Sequence, residues 1–326
     1  MRSVCVIGLG LIGGSVLRAV SAAGREAWGA TGSALDAEAA RAEGHAVELS
    51  VEEALRRAAA ADALVVLAVP LPALDGVLRK VGELAPECLL TDVVSVKAPV
   101  ADAVARYAPS ARFVGGHPMA GRSVSGWSAG SARLFQDAAW VVVADEDTDP
   151  VVWREVAELA LDCGAYVVPT TTSEHDAAVA RISHLPHVLA AVLASCGADG
   201  GPLALALAAG SFGDGTRVAA TRPELVLAMC EGNRPALLAA VDDALGKLGA
   251  ARGALASTGA LRATVTAGHA GRAALEAQRV AGRVHLVVDL AGEDALEELR
   301  GLGTQGGRIT GFAGTEAKAE LPVLAE

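Results

Sequence analysis

The first half of the chain alternates short apolar runs with amphipathic stretches. Residues 4–7 (VCVI) are one such run, followed by a glycine turn and helical text over 15–23 that stops at Gly24. A second short strand is predicted over 26–30, and helices over 35–43 and 51–60. Residues 63–69 (ALVVLAV) form a continuous run ended by PLP, the pattern of a strand buried on both faces. Residues 89–94 and 113–114 read as later strands of the same sheet, and AAWVVVAD and AYVVPT as two more. This rhythm predicts an α/β fold, a doubly wound and mostly parallel sheet over residues 1–172.

The pattern then changes. Residues 173–278 are almost wholly helical text, with long Ala, Leu and Val faces, and predict an all-helical domain over 173–280. Its many small apolar residues suit close helix–helix contact, within or between subunits, and a homodimer through this domain is expected. The last segment, 281–326, reads RVHLVVDL, EDALEELRGL and GRITGF, a βαβ-like appendage too short to hold a core alone.

Composition narrows the class. A length of 326 residues suits two domains, and 52% hydrophobic content with only 3% aromatic content describes an aliphatic, Ala-rich core. A net charge of −11, with no basic run, argues against non-specific nucleic-acid binding. It leaves room for an anionic substrate held by local arginines. Cys5, Cys88, Cys163, Cys196 and Cys230 lack C-x-x-C spacing and read as small core residues in a reducing compartment. No long uncharged apolar run is visible, so a cytoplasmic protein without membrane contact is expected.

The first chemistry-bearing motif is VCVIGLGLIGGS. Gly8, Gly10 and Gly13 stand in G-x-G-x-x-G spacing between a strand and a helix, the fingerprint of a Rossmann dinucleotide site. Gly8 makes the tight turn, Gly10 admits a pyrophosphate, and Gly13 lets helix and strand pack closely. Leu9, Leu11 and Ile12 within the loop, and Val69 and Pro70 after the third strand, complete the expected cofactor cradle. An acid at the end of the second strand would bond the ribose 2′-hydroxyl of NAD. This chain has Thr31, Gly32 and Ser33 there, with Asp36 late. That favours NADP, or use of both cofactors.

Further stretches stand out downstream: TDVVSVK with Asp92, Ser95 and Lys97, GGHPMAG with His117 and Gly121, SHLPH with His184 and His187, and GTRVAAT with Arg217. Taken singly, each has an ordinary structural explanation. Three histidines could hold zinc, but no acid or thiol clusters near them and Pro186 spoils the regular spacing, so no metal is expected. No nucleophile elbow follows a strand.

In this order and spacing, GLGLIGGS, TDVVSVK, GGHPMAG, SHLPH and GTRVAAT with EGNR resemble the prephenate/arogenate dehydrogenases of tyrosine biosynthesis, over about residues 3–250. HDAAVARISHLPH gives the text an actinobacterial look. The resemblance implies oxidative decarboxylation of a cyclohexadienol dicarboxylate, with hydride passing to NAD(P)+. For prephenate the product is 4-hydroxyphenylpyruvate. It further implies His117 as the base that takes the hydroxyl proton, with Ser95 hydrogen-bonded in the same cluster. Arg217 would pair with the ring carboxylate, His187, with His184 behind or beside it, would line the side-chain end, and Gly121 would also bind substrate. Asn233 of EGNR would support these residues. Lys97 either orders the Ser95 loop or stands as a surface charge at a helix start.

The sequence departs from the family at GRSVSG, where Ser123 stands in a position that many members give to Glu, and the tail after Gly282 is unlike a full regulatory ACT domain and reads as a reduced regulatory element. Two other substrates remain in view, arogenate and an amino-substituted prephenate of secondary metabolism. A 3-hydroxyacid dehydrogenase is a more distant alternative. It would want a helical Lys beside an Asn, which Lys247 does not supply. A non-catalytic dinucleotide sensor would not need Ser95, His117 and Arg217 together.

Overall fold

The computed structural model describes residues 1–122 and 124–323, so Ser123 lies outside the described residues. The chain divides into two compact units, residues 1–175 with 283–322, and residues 176–282 with Val323.

In the first unit, β1 (Val4–Ile7), β2 (Ala27–Ala30), β3 (Ala46–Val47), β4 (Leu64–Leu67), β5 (Leu89–Asp92) and β6 (Arg112–Val114) form a parallel sheet in the order β3-β2-β1-β4-β5-β6. Helices α1 (Leu11–Ala22), α2 (Ala34–Ala42), α3 (Val51–Ala60), α4 (Leu71–Leu84) and α5 (Ala98–Tyr107) make the crossovers. Strand side chains alternate between two cores. Val4, Val6, Leu64 and Val66 face one, while Cys5, Ile7, Val65 and Leu67 face the other, which explains the unbroken apolar runs. α1 begins at Leu11, earlier than predicted, because the helix starts directly on the glycine loop.

AAWVVVAD and AYVVPT do not extend this sheet, a correction to the sequence expectation. They become β8 (Ala139–Val143) and β9 (Tyr166–Thr170) of a second sheet, which β7 (Gly116–Pro118) enters antiparallel to β8. The chain changes sheets at Gly115: Val114 still pairs with Thr91, while Gly116 already pairs with Val142. A Cβ on Gly116 would sit 2.8 Å from the Asp92 carbonyl oxygen, so this crossing over the end of β5 requires glycine. Helix α6 (Pro150–Asp162) joins β8 to β9.

A continuous helix follows over Thr172–Asp199, composed of α7 (Thr172–Val179), a π-helical turn (Ala180–His184) and α8 (Leu185–Asp199). In the turn the N–H of Leu185 reaches the Ala180 carbonyl, five residues back. Pro186 has no N–H to give, and the wider turn accommodates its ring. This helix is long and apolar enough to cross a membrane by length and composition alone. The second unit continues with α9 (Gly201–Ala206), α10 (Gly210–Thr216), α11 (Pro223–Gly232), α12 (Arg234–Ser257) and α13 (Arg262–Val280).

The tail is β10 (Gly282–Asp289), α14 (Ala295–Thr304), β11 (Arg308–Ala313) and β12 (Glu316–Val323), so it is βαββ and not βαβ. β11 pairs antiparallel with both β12 and β9, giving a second sheet ordered β10-β12-β11-β9-β8-β7. Leu299, Leu302 and Ile309 join the core of the first unit. The tail needs no core of its own because it completes another.

Candidate active site

The glycine loop has the geometry its sequence demands. Gly8 has φ +101°, and a Cβ there would lie 2.4 Å from the Ala68 carbonyl oxygen and 3.1 Å from Val69 Cγ1. A Cβ on Gly13 would lie 1.9 Å from the Gly8 carbonyl oxygen, whereas one on Gly10 would meet nothing within 4 Å. The first and third glycines are therefore steric necessities of the fold, and the second opens space. Ser33, Ser50 and Asp149 cap α2, α3 and α6 with side-chain oxygens. Gly10 is the N-cap of α1 and offers no side-chain cap, and the first turn holds no acid. Its unpaired N–H groups suit an anionic pyrophosphate. The Leu9 side chain is fully buried in the core, so its backbone is what it offers a cofactor.

Beyond β2, the Thr31 hydroxyl oxygen accepts the Ser33 N–H at 3.2 Å, and the Ser33 hydroxyl oxygen accepts the Asp36 N–H at 3.2 Å. Among the described residues, neither hydroxyl donates a hydrogen bond. Asp36, the first acid after the strand, accepts the Trp127 N–H at 2.9 Å. Arg18 stacks 3.6 Å from the Trp127 ring centre and bonds both oxygens of Glu43, at 2.9 and 2.8 Å.

At the end of β5, Asp92 and Lys97 are buried and form an ion pair. The Lys97 ammonium also donates to the Gly116 carbonyl, and the Asp92 carboxylate accepts the Val94 N–H at 2.7 Å and the Gly116 N–H at 3.4 Å. Burial pushes the Asp92 carboxyl up, and Lys97 with the two backbone donors pulls it back. Lys97 is thus no surface charge. It ties the loop carrying Ser95, itself half-buried, to the residue preceding His117.

His117 is half-buried on β7, and its Nδ1 lies 2.8 Å from Nε2 of His175, with the rings nearly perpendicular at 77°. One nitrogen of each such pair must donate and the other accept. His175 is buried in the first turns of α7, and the sequence reading missed it. Its signal was present in TTSEH, where a T-x-x-E capping box predicts a helix start directly before a histidine.

The remaining candidates belong to the second unit. His184 is completely buried, with Nδ1 3.2 Å from the Asn233 amide nitrogen, which in turn donates to the Asp176 carbonyl at 2.7 Å. His184 is therefore packed behind the surface and does not line it. His187 is half-buried, and its Nδ1 lies 2.9 Å from the Ser183 carbonyl oxygen. A carbonyl only accepts, so Nδ1 carries a proton, and in the neutral imidazole Nε2 is the acceptor. Arg217 is exposed, and among the described residues no carboxylate pairs with it. Gly121 is exposed, with nothing within 4 Å of an added Cβ.

An open glycine loop on an uncapped helix, together with an imidazole pair beside the neighbouring strand ends, defines a dinucleotide-dependent oxidoreductase. Residues 22–169 match the family described as "Prephenate dehydrogenase, nucleotide-binding domain", and residues 171–260 match "Prephenate dehydrogenase, dimerization domain". A cyclohexadienyl dehydrogenase of Zymomonas mobilis is 33% identical over 271 residues, covering 78% of this chain and 89% of the relative. Among solved structures, a Corynebacterium glutamicum protein assigned as a prephenate dehydrogenase is 47% identical with a TM-score of 0.81, covering 85% of this chain and 89% of that one. The Synechocystis arogenate dehydrogenase is 28% identical with a TM-score of 0.71, covering 84% and 99%. The chain belongs to the prephenate dehydrogenase family. This sets aside the 3-hydroxyacid alternative.

Proposed function

We propose that the chain catalyses oxidative decarboxylation of prephenate with NADP+, or with either dinucleotide, and that His117 is the base. The observation that carries this reading is the bond from His117 Nδ1 to His175 Nε2. In the tautomer that donates Nδ1–H to His175, His117 Nε2 is the acceptor for the ring hydroxyl proton. His175 then acts as the orienting partner, and accepting the Nδ1–H also stabilises the imidazolium that forms. Ser95 hydrogen-bonds the substrate hydroxyl or the imidazole. Arg217 grips the ring carboxylate, a charge-assisted and potentially bidentate contact. His187, with Nε2 as acceptor, faces the side-chain end. The residues of the glycine loop fit a nicotinamide dinucleotide, which when bound supplies the hydride acceptor. Aromatisation of the ring drives loss of carbon dioxide, so these residues need only orient the substrate and move one proton.

The preference for NADP rests on the absent acid after β2 and the two hydroxyls of Thr31 and Ser33 with protons to donate. A homodimer through the helical unit is supported by the family description over residues 171–260 and by the exposed Leu189, Val192, Leu203 and Leu248. We read this apolar surface as protein-facing because Arg181 on the long helix pairs with Asp243. The second substrate reading is arogenate, favoured by the 28% identity to the Synechocystis enzyme. An amino-substituted prephenate is the third.

Initial rates with each of prephenate and arogenate, paired with NAD+ and NADP+, test these assignments. The expected outcome is the highest kcat/KM for prephenate with NADP+. A higher value for arogenate replaces the substrate assignment, and one confined to NAD+ replaces the cofactor assignment.

A further inference from the structure

The His175 imidazole sits on a helix start held by several side-chain hydrogen bonds. Thr171 and Glu174 form a reciprocal capping box: the Glu174 N–H donates to Thr171 Oγ1 at 3.1 Å, and the Thr171 N–H donates to Glu174 Oε2 at 3.3 Å. The hydroxyls of Thr170 and Thr171 also donate to Glu174 Oε2, at 3.2 and 3.0 Å. Beside them, Asp145 accepts the Thr172 N–H at 2.9 Å and the Thr172 hydroxyl at 2.7 Å. The next backbone bond, from the His175 N–H to the Thr171 carbonyl at 2.9 Å, carries the imidazole.

The tail reaches both carboxylates' supports. Thr304, at the end of α14, places its hydroxyl 3.2 Å from Glu174 Oε1, the oxygen the capping box leaves over. Its single proton is contested by the Arg300 carbonyl at 3.0 Å. Arg300 donates to the Ala144 carbonyl at 3.3 Å, immediately before Asp145. Between them, Gly303 lies so close to β9 that a Cβ would stand 1.6 Å from the Pro169 carbonyl oxygen. Burial would raise the Glu174 carboxyl, but its donors outweigh burial and hold it below the usual carboxylate range.

We infer that α14 is a positioning element for the imidazole pair: Thr304, Gly303 and Arg300 fix the capping box of Thr171 and Glu174, and through it the bond between His175 and His117. None of these residues touches the reacting atoms. The inference rests on the reading of His117 as the base. It makes the tail part of the catalytic apparatus through geometry alone.

Thr304→Val removes the hydroxyl at nearly constant volume. Kinetics of the full-length enzyme should show kcat lowered about three- to tenfold, the worth of one such bond, with KM within about twofold of wild type. The acid limb of the pH–kcat profile should move to lower pH, because a looser His175 stabilises the His117 imidazolium less. Thr304→Ser should restore both. Gly303→Ala should act in the same direction and more strongly, while Glu297→Gln, on the exposed face of α14, should change nothing. A wild-type kcat and acid limb in both Thr304→Val and Gly303→Ala would overturn the inference. So would a loss of kcat that tracks a fall in Tm, leaves the limb in place and is not rescued by Ser. His117→Asn, assayed alongside, separates the two readings. Near-normal turnover there overturns the base assignment and this inference with it, whereas a slow His117→Asn beside an unaltered Thr304→Val overturns this inference alone.

Discussion

In the unit of residues 1–175 and 283–322, Val4, Leu64 and Leu67 are 0% exposed, whereas in the helical unit Leu203 is 72% exposed and Leu248 65%. The first unit buries its strands between two cores and carries the polar groups of its site on hydrogen-bonded strand ends. The helical unit is as rich in leucine, yet the buried side chains of its long helices α8 and α12 are Ala190, Leu237, Ala240 and Ala251. Covering one large apolar side chain is worth about 1.5–3 kcal/mol, so a surface of this kind is stable only when something covers it. The first unit covers its own apolar side chains, and the helical unit leaves many of its own uncovered. Ion pairs differ in the same way. Lys97 meets Asp92 out of reach of water, while Lys247 meets Asp243 in full contact with it.

Breaking those two pairs should separate the units most widely. Lys97→Ala leaves a buried carboxylate without its counter-charge and should cost about 3–5 kcal/mol by chemical denaturation. Lys247→Ala should leave the unfolding midpoint unchanged, since an exposed pair at i, i+4 spacing is screened. Equal effects of the two substitutions would erase the distinction. Next in size, Arg217→Ala should raise KM about ten- to hundredfold with a smaller change in kcat. A fall in kcat at constant KM would remove Arg217 from the carboxylate. Sedimentation should then find wild type at twice the chain mass, and Leu248→Glu shifted toward the monomer. A wild-type monomer at micromolar concentration would contradict the proposed dimer.

The smallest effect is chemical. Burial pushes the Cys88 thiol up to about 12 and the Cys5 and Cys163 thiols higher still. Cys196 is exposed and Cys230 half-exposed, so the expectation that all five cysteines are core residues holds for only part of the chain. A thiol reagent applied to the native protein should modify Cys196 first, Cys230 slowly, and the three buried cysteines only on unfolding. Early labelling of Cys88 would mean that the first unit opens readily.

The parallel sheet was legible because a strand buried on both faces must be an unbroken apolar run, as 63–69 is. The glycine loop was legible because only glycine satisfies the contacts at Gly8 and Gly13. β7 was not, being three residues of GHP with no periodicity to display. Nor was β12, whose EAKAELPV mixes charges with small residues and ends beside a proline. The place of β8 and β9 was missed for a related reason: strand text does not state which sheet it joins. In the site, His117 stood out by its glycine neighbours. Lys97 did not, since only the fold brings its ammonium onto the carboxylate at the end of β5. His175 was hidden by its capping box, which looks like any helix start until the fold sets it against His117.

The pairing of His117 with His175 carries the account, and the pH dependence of kcat/KM in wild type and His117→Asn tests it most directly. Wild type should lose activity toward acid. His117→Asn should be about a hundred- to ten-thousandfold slower, bind the dinucleotide nearly as well, and lack that acid limb. A variant that turns over near the wild-type rate, or keeps the same acid limb, would contradict the assignment of His117 as the base.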